Sequence, residues 1–197
     1  MLSAIKIDKQ FKFDSYIGWN QSWWHYYKDY REATILLIEK INDNTPVNTI
    51  ALPVLFMIRH SIELGLKANI LELEKFSKAK SELKLDGKSH NLTVLYDYFT
   101  SHLQEVCKTY KVQKNIMDQI DHFKAHMAKM VDRLDKIDKG SFNFRYPIDR
   151  DGNLNFAYTD RINIADYVEL LKIIDPFITI TIGILEEHGM MRIDDHY

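Results

Sequence analysis

The sequence predicts an all-α fold: one domain over residues 1–197, a helical bundle with a small β-hairpin at about 141–159 inserted before the last helix. Three observations predict it. Seven glycines and four prolines among 197 residues are about half the usual share of roughly 12%, so turns are scarce and helices long. Ile116, Ile120, Phe123, Met127, Met130, Leu134 and Ile137 follow one another at steps of 4, 3, 4, 3, 4 and 3, a heptad seam that packs along a partner helix. Near residue 141 the apolar period then drops to 2, the spacing of an extended chain.

The elements follow in order. Ile5, Ile7, Phe11 and Phe13 alternate in residues 5–13 and predict a short extended arm or edge strand. Asp14 or Asn20 can cap a first helix that runs to about Asn42. It opens on Trp19, Trp23, Trp24, Tyr26, Tyr27 and Tyr30 and ends at the turn residues 42–46. A second helix starts between Pro46 and Pro53, where proline is tolerated, and runs to about Phe76. Leu55, Ile58, Ile62, Leu66, Ile70 and Leu73 form its stripe, while Phe56, Leu64 and Leu71 make other faces apolar too; such a helix is central. Residues 77–89 are polar and lysine-rich, a surface connector. A helix resumes at Asn91, and the seam helix spans about 112–138. Phe142, Phe144, Tyr146 and Ile148 alternate, Asp151-Gly152 turns the chain, and Leu154, Phe156 and Tyr158 alternate back. A two-stranded ribbon is marginal alone, so one of its faces must pack, with Phe144 and Tyr146 on that side and Arg145 on the other. Asn163 caps a last helix to about His188, which Pro176 kinks or divides.

Composition excludes whole classes. With 46% apolar and 12% aromatic residues, the chain can bury a real core and is not disordered. Twenty-six basic against 28 acidic side chains give a net charge of −2, so no global basic field exists for nucleic acid or an anionic membrane. Any such contact must be local. Cys107 is the only cysteine, which excludes an intrachain disulfide and a thiolate cluster; its helical setting suits a half-buried structural thiol. The longest uncharged apolar runs are nine residues, against about 20 for a span, and charges interrupt the N-terminus. These features predict a soluble cytoplasmic protein without membrane contact.

Four segments together resemble the HEPN superfamily of small helical bundles. Tyr26–Ile41 (YYKDYREATILLIEKI) is similar to the family's opening helix. Leu55–Leu71 (LFMIRHSIELGLKANIL) is similar to its central helix, with Glu-Leu-x-Leu-Lys at Glu63–Lys67. HNLTVL at His90–Leu95 matches the start of its next helix, and FRYP at Phe144–Pro147 with Asp149 resembles an element before its last helix. The resemblance implies a HEPN-like antiparallel bundle, a homodimer, and often a role in phage defence or toxin–antitoxin systems with RNA, a nucleotide, an antitoxin or another protein as partner. Many members are metal-independent ribonucleases with an Arg-x(4–6)-His signature, in which Arg stabilises the charged phosphorane and His moves the 2′-hydroxyl proton. Arg145 supplies the first half, but positions 150–152 are Arg150, Asp151 and Gly152. The signature is broken, and catalysis would need a histidine from elsewhere, His90 or His126. The long 112–138 helix and the hairpin depart from the family's minimal core.

Individual residues carry competing readings. Arg59, His60, Glu63 and Lys67 place charge inside an apolar helix. Arg59–Glu63 and Glu63–Lys67 are i,i+4 pairs, either a self-neutralised ladder at a helix interface or a polar cluster that lines a dimer cleft. With Arg145 and Tyr146 they make up the candidate binding set. His122 and His126 have the i,i+4 spacing of a two-imidazole metal site, and His60 could complete three ligands; a solvated or dimer-facing stripe with Lys129 and Arg133 is the better explanation, and an RNA-phosphate contact is the third. Asp149, Asp151 and Asn153 lack the length and terminal Glu of a Ca²⁺ loop and read as turn residues. The tryptophans serve as core, dimer interface or stacking platform. No phosphate-binding glycine loop occurs, and no cofactor is implied.

Overall fold

The computed structural model describes residues 18, 21–42, 46–79 and 89–187. The predicted arm at 5–13, the caps at Asp14 and Asn20, Trp19, and most of the connector at 77–89 lie outside them. All five predicted helices are present: α1 (Trp23–Asn42), α2 (Val47–Glu74), α3 (Leu92–Thr109), α4 (Lys114–Ile137) and α5 (Ile164–Glu187). The fold is all-α. Ser22 begins α1, its Oγ accepting from the His25 N–H at 3.2 Å. Asn91 and Asn163 cap α3 and α5, accepting from Val94 N at 2.8 Å and Ala165 N at 3.2 Å. Pro176 does not divide α5.

The central position of α2 follows from its all-round apolarity. Every residue from 61 to 70 is buried, and α1, α3 and α5 pack on it. By length and composition α2 could cross a membrane, but here those apolar faces form the core of the bundle. Gly65 permits the closest approach: a Cβ there would stand 2.7 Å from Ile178 Cδ1 and 3.1 Å from Tyr27 Cδ2. The seam of α4 packs through Ile120, Met127 and Leu134, whereas Phe123 is left exposed. Cys107 is buried, which pushes its thiol up to about 11 and makes it unreactive.

Helix directions correct the antiparallel expectation in part. Trp23 meets Lys67 and Tyr30 meets His60, so α1 and α2 are antiparallel. Tyr96 bonds Lys124 O, and Leu92 N bonds Asp135, so α3 and α4 are antiparallel too. But Glu63 meets His90, and Glu74 lies 3.8 Å from His102; α2 and α3 therefore run parallel. The long connector between them makes that possible.

The β-hairpin is also corrected. Among the described residues there is no strand, only one antiparallel bridge between Ile148 and Leu154. The chain does reverse at Asp149–Gly152, with Gly152 at φ +86° and three backbone donors gathered near Asp149: the N–H groups of Asp151 and Asn153 reach its Oδ1 at 2.9 Å and Gly152 N its carbonyl at 3.2 Å. Upstream, a strand cannot form because the backbone is engaged elsewhere. Arg145 N and Tyr146 N both bond Phe142 O, and Asp138 Oδ1 takes the Phe144 N–H at 3.2 Å. Phe144 is consequently buried while Tyr146 is 48% exposed, so the two do not share a packed face. Tyr146 and Arg145 are both exposed.

Candidate functional site

The site is built outward from α2. Arg59 has no exposed surface, so its charge must be met inside the protein. Its Nη1 donates to Glu63 Oε2 at 2.7 Å, its Nε to the Asp138 carbonyl at 3.2 Å, and its Nη2 to the His90 carbonyl. The Asp138 carboxylate stands 3.2 Å from Nε, and that of Asp135 3.6 Å from Nη2. One buried guanidinium thus ties α2 to the entry of α3, the exit of α4 and the short 3-10 turn Lys139–Ser141. Asp135 adds a second function by accepting the Leu92 N–H at 2.9 Å, at the start of α3.

Glu63 is the other hub. Its Oε1 accepts from Lys67 Nζ and lies against His90 Nδ1, both at 2.8 Å. Burial alone would raise its pKa, but the hydrogen bonds and charges of Lys67 and Arg59 outweigh burial and hold the carboxyl at about 2. Two buried cations, Arg59 and Lys67, face the carboxylates of Glu63, Asp135 and Asp138, and the charge of Arg145 also reaches Asp138. Burial pushes Asp138 up against the opposing pull of Arg59, and its Oδ2 is buried without a hydrogen bond. Lys67 closes the far end of the network, 5.3 Å from the Trp23 ring.

Over this network lies a half-open rim of rings. His60 is edge-on to Tyr30 at 4.5 Å and stacked on Phe56 at 5.5 Å. Burial first, then the charges of Arg59, Lys67 and His90 against Glu63, lower its pKa, so the imidazole is held neutral. The Arg145 guanidinium lies 5.7 Å from the Phe56 ring and 5.5 Å from Tyr146. Tyr146 in turn packs on Phe142 at 4.5 Å, and Arg145 Nε is anchored on Ser141 O at 2.6 Å.

The structure therefore brings Arg59, Glu63, Lys67 and His90 together in one network, and His60, Arg145 and Tyr146 together on the rim beside it. Burial saturates Arg59, Glu63 and Lys67 within the chain, which supports the neutralised-ladder reading over direct ligand contact. His90 keeps a ring 35% exposed. His122 is exposed beside Phe123, and the side chain of His126 lies outside the described residues. No cluster of three or more His, Cys, Asp or Glu that could hold a metal occurs among the described residues. Sequence reasoning missed Asp135 and Asp138. The signal available was two acids near the C-terminal end of α4, where the helix dipole disfavours them unless a cation stands opposite. It also missed Asp175, which precedes Pro176 and takes Arg31 on both oxygens and the Tyr27 hydroxyl.

Fold and site together define a class: an all-α bundle whose central helix carries a buried ionic network beside an aromatic–arginine rim. No protein-family model, curated protein or solved structure matches the chain.

Proposed function

We propose that this chain is a HEPN-like helical protein that works as a cytoplasmic homodimer, a binding or regulatory component of a prokaryotic defence or toxin–antitoxin type system. Its contact is with RNA, a nucleotide or a partner protein. One observation carries the reading: three of the four segments that resemble the family meet at one place. Arg59 of the second bonds Glu63 of the same segment and the carbonyl of His90 of the third, and Asp138 joins Arg59 to the Phe144 N–H of the fourth. The incomplete Arg-x(4–6)-His pattern favours binding over catalysis. Size-exclusion chromatography with light scattering tests the dimer: the expected mass is twice that of the chain, and a strict monomer at high micromolar concentration overturns the proposal.

A second reading has its own observation. His90 is oriented by a buried ionised carboxylate, Glu63, at 2.8 Å and keeps part of its ring open, the arrangement that prepares a general base. With Arg145 as the charge stabiliser this is a divergent metal-independent ribonuclease. Cleavage of tRNA or total RNA in EDTA that is lost in both Arg145→Ala and His90→Ala supports it. No cleavage by the native protein removes it.

A further inference from the structure

A cavity of about 680 Å³ opens between the first turns of α2 and the chain that leads into α5, within the roughly 300–1,000 Å³ of small-molecule sites. It is separate from the ionic network and from the rim, whose residues do not line it. Val47, Ala51 and Leu55 recur at every fourth position of α2 and share one face; Phe156, Ile162 and Ile164 line the cavity from the other side. Leu55 and Ile164 are buried. Phe156 stacks on the buried Phe144, their rings 6.0 Å apart and 16° from parallel, which ties this lining to the core.

Into this apolar lining the chain sets one acid and one base, the consecutive Asp160 and Arg161, with Asn48 as a neutral polar neighbour. Asp160 is held in a turn: its N–H donates to the Ala157 carbonyl at 3.0 Å, and its Oδ2 accepts the Ala157 N–H at 2.8 Å. That leaves Oδ1 without a hydrogen bond among the described residues. Arg161 follows, two residues before the α5 cap Asn163, and has no carboxylate within 4 Å among the described residues. The geometry points to a site for a free α-amino acid with a large apolar side chain: Arg161 takes its carboxylate, Asp160 its ammonium, and the apolar lining its side chain. An α-amino acid carries both charges on one carbon, and two consecutive residues on one cavity answer them together. A simple carboxylic acid would bring like charge to Asp160, and a simple amine would bring it to Arg161. A phosphate ester brings more negative charge than one guanidinium beside a carboxylate can answer. The inference concerns a second place on the molecule and does not rest on the proposed function.

A heteronuclear NMR titration of the full chain with phenylalanine, leucine, alanine, N-acetylphenylalanine and phenylalaninamide tests the site. The expected result is saturable binding of one phenylalanine or leucine per chain, with a Kd on the order of a millimolar. The shifted signals should come from residues 47–55 and 156–164, which hold the lining. Alanine lacks the apolar body and should bind at least about tenfold more weakly. N-acetylphenylalanine has no ammonium and phenylalaninamide no carboxylate; each should lose about fivefold, the size of an exposed ion pair. Arg161→Ala should lose about as much for phenylalanine yet bind phenylalaninamide as the native chain does. Asp160→Asn, which keeps an acceptor for the Ala157 N–H, should show the converse with N-acetylphenylalanine. Arg150→Ala, outside the cavity, should stay native. Thermal melts establish that each variant is folded, and the analogue series on the native chain carries the test without them. Absence of saturable shifts at these residues overturns the inference. So does either singly charged analogue binding as tightly as phenylalanine, and so does unchanged phenylalanine affinity in folded Arg161→Ala. Any of these results leaves the proposed function standing.

Discussion

Arg59 and Arg145 are the same residue type on two sides of one turn, and their surroundings assign them opposite tasks. Arg59 is fully buried and answered by Glu63, Asp138 and backbone carbonyls. Arg145 is exposed and flanked by rings, and has no carboxylate within 4 Å among the described residues, though its charge reaches Asp138. The difference teaches that a charge inside an apolar helix can be a clamp for three segment ends, while the accessible chemistry lies on the loop the clamp holds. Each region can be broken without the other.

The largest effect is expected at the clamp. Arg59→Met keeps volume but leaves Glu63, Asp135 and Asp138 without their shared cation, and unfolding in urea should show a loss of about 3–5 kcal/mol. Next comes Phe144→Ala, which empties a buried aromatic position on the loop and should cost about 3 kcal/mol. Tyr146→Ala, on an exposed ring two residues away, should cost less than about 1 kcal/mol. An equal loss in the two would restore the hairpin picture with a shared packed face.

The acid limb of stability isolates Glu63. Its folded pKa lies at about 2, below its ordinary value of 4.5. It therefore contributes stability that is present above about pH 4.5 and is lost as pH falls toward 2. Asp138, raised by burial, acts with the opposite sign: its contribution is present at low pH and lost as pH rises. The native Tm should fall steeply between pH 4.5 and 2, and Glu63→Gln should flatten that fall while lowering Tm at neutral pH. An unchanged acid limb in Glu63→Gln would separate Glu63 from the acid transition.

What the sequence made legible was local. Asn91 and Asn163 carry their caps in the next three residues, the α4 seam is a spacing, and the all-round apolarity of α2 makes it central. The i,i+4 ladder through Arg59, Glu63 and Lys67 could be read, and both of its ion pairs form at 2.7 and 2.8 Å. What it could not show lies at long range. Arg59 meets Asp138 across 79 positions and His90 across 31, and no local pattern marks either pair. The hairpin failed for a related reason: the alternation of Phe142, Phe144 and Tyr146 looks like a strand until Asp138 claims the Phe144 N–H. The parallel course of α2 and α3 depends on a connector whose polar composition says nothing of direction.

The smallest expected stability change is also the most informative. Urea unfolding of Arg145→Ala, run beside Arg59→Met, tests directly whether the two arginines divide structure from contact. The account predicts a change below about 1 kcal/mol for Arg145→Ala, an exposed guanidinium whose pull on Asp138 is smaller than that of Arg59, which stays in place, against several for Arg59→Met. Equal losses in the two variants would contradict it and make Arg145 part of the clamp.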